Sequence, residues 1–133
     1  MSHIQIKSLK KSFGIVDAVK NINFDIDDGQ FVVLVGPSGC GKTTTLRMLA
    51  GFEDPTDGEI LIGENIVNDI EPGKRGIGMV FQNHALFPNK TVEDNIKFGL
   101  RMKKVSASEM QKKVTEVAEL VQIGHLLKKM PFQ

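Results

Sequence analysis

The feature that most constrains this chain is a glycine-rich loop between an apolar run and a helix-like pattern. The stretch VLVGPSGCGKTTTLRMLAG, residues 33–51, places Gly36, Gly41, Lys42 and Thr43 at the spacing G-x-x-x-x-G-K-[ST]. Glycines let backbone N–H groups converge on an anion without side-chain collisions, and a helix that begins at the loop adds its positive end. The sequence therefore predicts a phosphate-binding loop between a buried strand and a helix.

The loop residues have separate predicted roles. Lys42 is predicted to reach the β- and γ-phosphates of a nucleotide, and the Thr43 hydroxyl to ligate Mg²⁺. Thr44 is predicted to lie near the α-phosphate. Cys40 occupies a variable position, and nothing nearby in the sequence supplies a general base, so we interpret it as a spacer. The predicted nucleotide-binding set in the loop is Gly36, Pro37, Ser38, Gly39, Cys40, Gly41, Lys42, Thr43 and Thr44. The alternative is an ordinary Gly-rich turn with a solvated lysine.

Composition and charge exclude several classes of protein. The 133 residues are 41% hydrophobic, enough for a globular unit, and 17 basic against 16 acidic residues give a net charge of +1. The near-zero net charge provides no overall electrostatic attraction to nucleic acid, and nucleic acid is not expected as a partner. A single cysteine excludes an internal disulfide framework. No apolar run reaches the roughly 18 residues of a membrane span, so a cytoplasmic location is expected.

Hydrophobic patterning predicts strands in the first part of the chain. Residues 3–9 (HIQIKSL) and 18–26 (AVKNINFDI) alternate apolar and polar side chains, which predicts an antiparallel pair. A DDG turn then leads into residues 30–35 (QFVVLV), whose apolar run predicts a buried central strand. Residues 59–62 (EILI) predict a short strand, and residues 75–81 (RGIGMVF) another buried one.

Helical patterns follow the glycine-rich loop and fill the end of the chain. The first helix is predicted to bury Leu46, Leu49 and Ala50 and to stop at Gly51. Thr91 with Asp94, and Ser106 with Glu109, predict capped helix starts. The predicted apolar stripes are Val92, Ile96 and Leu100 in one helix, and Met110, Val114, Val117, Leu120 and Val121 in the next, which is predicted to stop at Gly124. We predict a β/α part, residues 1–85, and a helical part, residues 86–133.

A second motif identifies a family resemblance. The stretch GMVFQNHALFPNKTVEDNIKFGL places Gln82 after a predicted buried strand, forty positions beyond Lys42. It resembles the Q-loop of ATP-binding-cassette (ABC) ATPases, and LFPNKTVEDNI is similar to the importer ATPases of the sugar, polyamine and iron type. Residues 9–63 resemble that branch nearly throughout. The resemblance implies an α/β P-loop NTPase core of the ABC ATPase kind, with an N-terminal antiparallel β subdomain and the start of a helical subdomain.

The resemblance also implies roles for residues outside the loop. In the family an aromatic residue, here Phe13, stacks on adenine, and the Q-loop glutamine, here Gln82, brings its amide to Mg²⁺ and the attacking water. The alternatives are a core phenylalanine between strands and a surface glutamine at a strand end. The implied cofactors are ATP and Mg²⁺, with Lys42 and Gln82 as catalytic residues and Thr43 and Gln82 as metal ligands.

Partners and location follow from the same resemblance. The segment from Gln82 to Phe98 is expected to contact transmembrane permease subunits, with His84 either in that contact or simply solvated. A second ATPase subunit is expected in a head-to-tail dimer. The function implied is that of the ATP-binding subunit of an ABC importer, peripheral on the cytoplasmic face of the membrane, which couples ATP hydrolysis to uptake of a solute.

Only the first part of the family's pattern is present in the 133 residues. They contain no SGG tripeptide and no apolar run that ends in Asp-Glu, whereas the family continues into an LSGGQ signature and an acidic Walker B strand. The expectation is an incomplete domain that binds Mg-ATP without hydrolysing it. The alternatives are a non-catalytic interaction module that docks on a permease, and an ABC ATPase that acts outside transport.

Overall fold

The computed structural model describes residues 3–81 and 86–133, which form two compact units. The first unit is Met1–Met79 and the second is Val80–Gln133. The division between them lies before the predicted boundary at residue 85, which stays a prediction. Along the described ranges, no helix is both long enough and apolar enough to cross a membrane.

The first unit is built on an antiparallel sheet of four strands in the order β2-β1-β3-β4. The strands are β1 (Ile4–Phe13), β2 (Val16–Ile26), β3 (Asp57–Ile62) and β4 (Asn65–Ile66). β1 pairs with β2 on one side and with β3 on the other. Its register with β2 runs from Ile4 opposite Ile26 to Phe13 opposite Val16. The predicted antiparallel pair and the predicted EILI strand are therefore confirmed.

One face of this sheet packs against helix α1 (Lys42–Ala50) and forms the hydrophobic core. The buried core residues are Ile6, Leu9, Val19, Met48, Leu49, Ile60 and Val67. The helix is confirmed where the sequence placed it, but its predicted apolar face is partly wrong. Leu46 is 46% exposed and Met48 is fully buried, because the sheet meets the helix along Thr45, Met48 and Leu49.

The carboxyl end of α1 is closed by a glycine and a buried arginine. Gly51 adopts φ 79°, as predicted for a helix stop, and its N–H donates to carbonyls of the last turn. Arg75 is 6% exposed; its Nη1 donates to Met48 O at 2.8 Å and Leu49 O at 3.1 Å. A Cβ on Gly51 would lie 2.7 Å from Arg75 Nε. Glycine therefore makes room for the guanidinium that caps the helix.

Two other carbonyls complete the environment of Arg75. Nε donates to Ile70 O at 2.7 Å, and Nη2 donates to Asn68 O at 2.9 Å. Burial lowers the pKa of the guanidinium, and the charge of Asp54 opposes that shift. The cation joins the end of α1 to the chain that follows β4.

Two predicted buried strands are wrong. Residues 31–35 and 77–81 are not strands; Phe31 is 92% exposed, Val35 88% and Val80 98%. A strand needs hydrogen-bonding partners along its backbone, and neither run pairs with another strand in the part of the chain that the structure describes. Apolar composition indicates a segment that can be buried, but it does not provide the neighbouring strand.

The second unit contains α2 (Val92–Met102) and α3 (Ala107–Leu120). Both predicted caps are confirmed. The Thr91 hydroxyl accepts a hydrogen bond from the Asp94 N–H at 3.1 Å, and the Ser106 hydroxyl accepts one from the Glu109 N–H at 3.3 Å. Each cap satisfies one of the N–H groups that a helix start leaves without a partner.

The predicted apolar stripe of α3 is wrong in its second half. Val114 and Ala118 are buried, whereas Val117 is 45% exposed and Leu120 81%. The helix ends at Leu120, and Gly124 begins a short 3₁₀ turn, Gly124–Leu126, instead of stopping the helix. The helical period was correct, but the stripe that packs is rotated from the predicted one.

A buried carboxylate holds the second unit together. Glu93 on α2 is 8% exposed and contacts Lys97 Nζ and Lys128 Nζ, each at 2.6 Å. Its backbone N–H donates to Leu127 O at 3.0 Å. The hydrogen bond from Lys128, followed by that from Lys97, lowers the pKa of Glu93 from 4.5 to about 2. Lys97 also donates to Gln111 Oε1 on α3 at 2.8 Å.

Replacing Arg75 is expected to destabilise the first unit. Arg75→Met keeps the side-chain length but removes a charged donor to four carbonyls, so the free energy of unfolding should fall by about 2–4 kcal/mol. The measurement is urea denaturation followed by circular dichroism. Lys74→Met is the matched control, because Lys74 is exposed and its Glu71 partner lies on the surface. Equal stability of the two variants would contradict a capping role for Arg75.

Replacing Glu93 is expected to give a pH-dependent loss of stability. Glu93→Gln should cost about 1–2 kcal/mol at pH 7, since one partner of the carboxylate is largely exposed. A depressed pKa means that the contribution is complete above about pH 4.5 and is lost as the pH falls towards 2. Denaturation of the wild type and of Glu93→Gln, measured between pH 7 and pH 3, should show that their difference in stability shrinks below pH 4.5. Glu116→Gln, at an exposed ion pair, should show little difference at any pH.

Candidate functional site

The glycine-rich loop leads directly into α1, and two of its glycines adopt conformations that other residues rarely take. Gly39 has φ 81° and Gly41 has φ 91°. Gly41 is the N-cap of the helix. A Cβ at Gly41 would lie 2.4 Å from Ala18 O and 3.1 Å from Val19 Cγ2. The loop therefore touches β2 at the one residue type that allows so close an approach.

Lys42 is folded over the loop. Its Nζ donates to Gly36 O at 2.8 Å and to Pro37 O at 2.7 Å, and lies 3.4 Å from Cys40 Sγ. These contacts place the ammonium group beside the backbone of the loop. A bound triphosphate would compete with the two carbonyls for the same three N–H donors. Lys42, which is predicted to bind the phosphates, thus lies beside the loop that is predicted to hold them.

The positive end of α1 is open to an anion. Among the described residues, no side chain caps this helix and no acidic residue lies in its first turn. In α2 and α3, by contrast, the side chains of Thr91 and Ser106 cap the helix starts. Thr45 Oγ1 donates to Gly41 O at 2.9 Å, so the hydroxyl of the fourth helical residue turns inward. The exposed backbone N–H groups of the first turn favour a negatively charged ligand.

A cleft of about 450 Å³ lies between β2 and the loop. Its wall on the strand side includes Asp17, Ala18, Val19 and Lys20, and its wall on the loop side includes Gly39, Cys40, Gly41 and Lys42. Ser12 Oγ donates to Asp17 Oδ1 at 2.6 Å, and this hydrogen bond, with the charge of Lys10, lowers the pKa of Asp17. The strand wall of the cleft thus carries the Asp17 carboxylate and the Lys20 ammonium group, and the loop wall carries the Lys42 ammonium group.

Phe13 lies at the end of β1, paired with Val16 across the hairpin. Its side chain is 49% exposed, so it is not enclosed between strands as a core residue would be. Lys11 Nζ lies 4.9 Å from the centroid of its ring. The stacking of Phe13 on a base stays a prediction, but the ring has the exposed surface that stacking requires.

The remaining predicted site residues lie in or near the Q-loop. Gln82 and His84 fall outside the described residues. Beyond them, the rings of Phe87 and Phe98 are 4.5 Å apart, and both are exposed by slightly more than a third. Asn95 fixes this segment, since its Oδ1 accepts from Phe87 N at 2.8 Å and its Nδ2 donates to Phe87 O at 3.1 Å.

The loop suits a magnesium nucleotide better than a metal ion bound by protein alone. In the described part of the chain, no cluster of three His, Cys, Asp or Glu residues forms a metal site. Mg²⁺ that acts on phosphates is commonly held by one or two protein oxygens together with phosphate oxygens and water. Thr43, exposed in the first turn of α1, offers one such hydroxyl. The donor set therefore fits Mg²⁺ that arrives with a phosphate ligand.

Sequence reasoning missed the residues that reach the site from other elements. Asp17, Ala18 and Lys20 line the cleft because β2 passes the loop, which no local motif indicates. Lys11 contacts the Phe13 ring. The one indication of this contact in the sequence was that the two residues lie two positions apart, which is the spacing of side chains on one face of a strand.

Comparison with known proteins gives consistent matches over most of the chain. A family model described as ABC transporter matches residues 19–132. The maltose/maltodextrin import ATP-binding protein MalK of Mannheimia succiniciproducens is 52% identical over 131 residues, and that of Vibrio vulnificus is 49% identical. Each alignment covers 98% of this chain and 35% of the relative. This chain thus spans about a third of the length of these curated relatives.

Solved structures give the same result for the fold. MJ0796, a bacterial ABC transporter cassette solved as a dimer, matches with a TM-score of 0.87 at 30% identity. A second dimeric structure of it, in a post-hydrolysis state bound to ADP and Pi, matches with a TM-score of 0.86 at 29% identity. Both alignments cover 98% of this chain and 62% of the other. They confirm the predicted fold class, a partial α/β P-loop domain.

Proposed function

This chain belongs to the ABC transporter family, and on that premise we propose that it binds Mg-ATP at residues 36–44 as the ATP-binding part of an importer. The observation that carries the proposal is the open N-terminal end of α1, where Gly41 is the N-cap and Lys42 lies over the loop. The cleft of about 450 Å³ beside this helix start has room for a ligand whose negative charge the helix end favours.

Each part of the nucleotide has a proposed contact. The loop N–H groups and Lys42 bind the β- and γ-phosphates, and the Thr43 hydroxyl ligates Mg²⁺. Phe13 stacks on the adenine, and Gln82 approaches the metal and the attacking water. Bound Mg²⁺ would supply neutralisation of charge on the phosphate oxygens. The half-exposed Phe13 ring and the contacts of Lys42 support these assignments.

The transport role rests on the relatives. Proteins about half identical to this chain are named as maltose/maltodextrin import ATP-binding proteins. We extend import to the protein of which these residues form a part, with maltose-type oligosaccharides as the proposed solute. Like the MJ0796 cassette, which was solved as a dimer, it is proposed to act with a second ATPase subunit, head to tail.

Hydrolysis is proposed for the longer protein and not for the 133 residues alone. Phosphoryl transfer requires charge stabilisation and positioning of water around the γ-phosphate. The resemblance assigns part of that task to a signature and an acidic pair that these 133 residues do not contain. The chain as given is therefore proposed to bind Mg-ATP without turnover.

The permease contact is proposed for residues 82–98. Leu86, Phe87 and Phe98 are exposed apolar side chains within this segment, and Asn95 holds its backbone. Exposed apolar side chains beside a capped helix start are suited to a protein partner. Binding there would place the protein on the cytoplasmic face of the membrane.

Lys42→Ala is expected to weaken ATP binding by about ten-fold or more, because it removes charged hydrogen bonds to the phosphates. Isothermal titration with Mg-ATP measures the effect. Lys112→Ala, which removes an exposed charge on α3, should leave the affinity unchanged. Equal affinity of the Lys42→Ala variant and the wild type would contradict the phosphate site. ATP turnover by the 133-residue chain that Lys42→Ala abolishes would contradict binding without hydrolysis.

Phe87→Asp is expected to abolish co-purification with the permease subunits of a maltose/maltodextrin importer, because a carboxylate would enter an apolar contact. Circular dichroism should show unchanged helix content. Phe132→Asp is the matched control, since Phe132 is 87% exposed and lies outside the proposed contact. Co-purification that survives Phe87→Asp, or that both variants lose equally, would contradict the proposed surface.

A further inference from the structure

The ammonium group of Lys11 occupies a defined place beside the proposed base-stacking ring. Lys11 Nζ lies 2.6 Å from Glu53 Oε1 and donates to Asp54 O at 2.7 Å. It also lies 4.9 Å from the centroid of the Phe13 ring. The side chain of Lys11 is 13% exposed and that of Glu53 24%. The cation is thus held by two oxygens and placed against an aromatic ring.

This arrangement leaves Phe13 with two different faces. Lys11 and Phe13 are two residues apart on β1, so their side chains project to the same side of the strand. A cation within about 6 Å of a ring centroid is attracted to the ring face. Lys11 lies over the Phe13 ring, and Phe13 is still half-exposed, so part of the ring surface stays accessible to a planar ligand.

The same region ties the end of β1 to the chain that follows α1. Thr56 N donates to Lys10 O at 2.8 Å, and Thr56 Oγ1 accepts from Ser12 N at 3.0 Å. Together with the Lys11–Glu53 pair, these bonds join β1 to residues 53–56. Since α1 begins at the glycine-rich loop and is nine residues long, about 13 Å, that loop and the segment bonded to β1 lie at opposite ends of one short helix.

We propose that Lys11, held by Glu53, is a positioning residue for Phe13 that fixes which ring face meets the nucleotide base and favours purines over pyrimidines. The inference rests on the proposed function. A purine has the larger π surface, so it gains more from a ring whose orientation is already fixed and whose opposite face carries a cation. Lys11 does not touch the phosphates in this scheme, and its effect is confined to the base.

The experiment compares three ligands with the same phosphate chain. Dissociation constants for Mg-ATP, Mg-CTP and Mg-tripolyphosphate are measured by titration for the wild type and for Lys11→Met. We expect ATP binding to weaken about two- to five-fold, as for loss of a partly exposed cation–π contact. CTP binding should change less, and tripolyphosphate binding should not change. The ATP-to-CTP preference is therefore expected to fall.

Four further variants separate positioning from general effects. Lys7→Met removes an exposed lysine from the same strand and should change no affinity. Lys11→Arg should restore the ATP-to-CTP preference, because a guanidinium also stacks on an aromatic face. Glu53→Gln should lower the preference in part, since it loosens the lysine without removing its charge. In the Phe13→Ala background, Lys11→Met should have no further effect.

The possible outcomes are distinct. An equal loss of affinity for all three ligands in Lys11→Met would overturn the proposal, because it would indicate a general electrostatic or folding effect. An unchanged ATP-to-CTP ratio in that variant would also overturn it. If the wild type binds tripolyphosphate but Lys11→Met leaves ATP affinity intact, the phosphate site stands and the role of Lys11 fails. Failure of the wild type to bind both ATP and tripolyphosphate would contradict the proposed function and this inference with it.

Discussion

The buried Arg75 guanidinium is the contact on which the geometry of the first unit depends. It donates to carbonyls at the end of α1 and to carbonyls of the chain after β4, so it fixes the carboxyl end of the helix against the sheet. A positive charge at that end also matches the helix dipole. With one end held, the amino end of α1 and its phosphate loop are set against β2, where Gly41 leaves no room for a side chain.

The two ends of α1 therefore favour charges of opposite sign. Cations meet the carboxyl end and the turn that follows it, where Arg75 caps the helix and Lys11 binds Glu53 and Asp54 O. The amino end is left without a capping side chain among the described residues, and it faces a cleft. An anion at the amino end completes the pattern, since it adds the charge of opposite sign that this end favours.

Features coded by neighbouring residues were predictable from the sequence, and features that need a distant partner were not. The caps of α2 and α3, the β1–β2 hairpin and the αL glycine after α1 each depend on a few adjacent residues, and each was predicted correctly. Residues 31–35 and 77–81 carry the composition of buried strands, yet most of them are exposed because no described strand pairs with them. The binding partners of Arg75 are separated from it by up to 27 residues, which no local pattern reveals.

The proposed contacts of the candidate site fall into the same two groups: those encoded by neighbouring residues and those that need a distant partner. The proposed phosphate contacts use consecutive backbone N–H groups and one lysine, so a single motif encodes them. The proposed base contact requires an aromatic ring in a fixed orientation, and Lys11, the group proposed to orient Phe13, is bound by Glu53, which is more than forty positions away from it. Under this proposal, a change in the segment after α1 alters which base is preferred while the phosphate motif stays the same. Selectivity for the base and affinity for the phosphates would then be separable properties of one small unit, because different contacts set them.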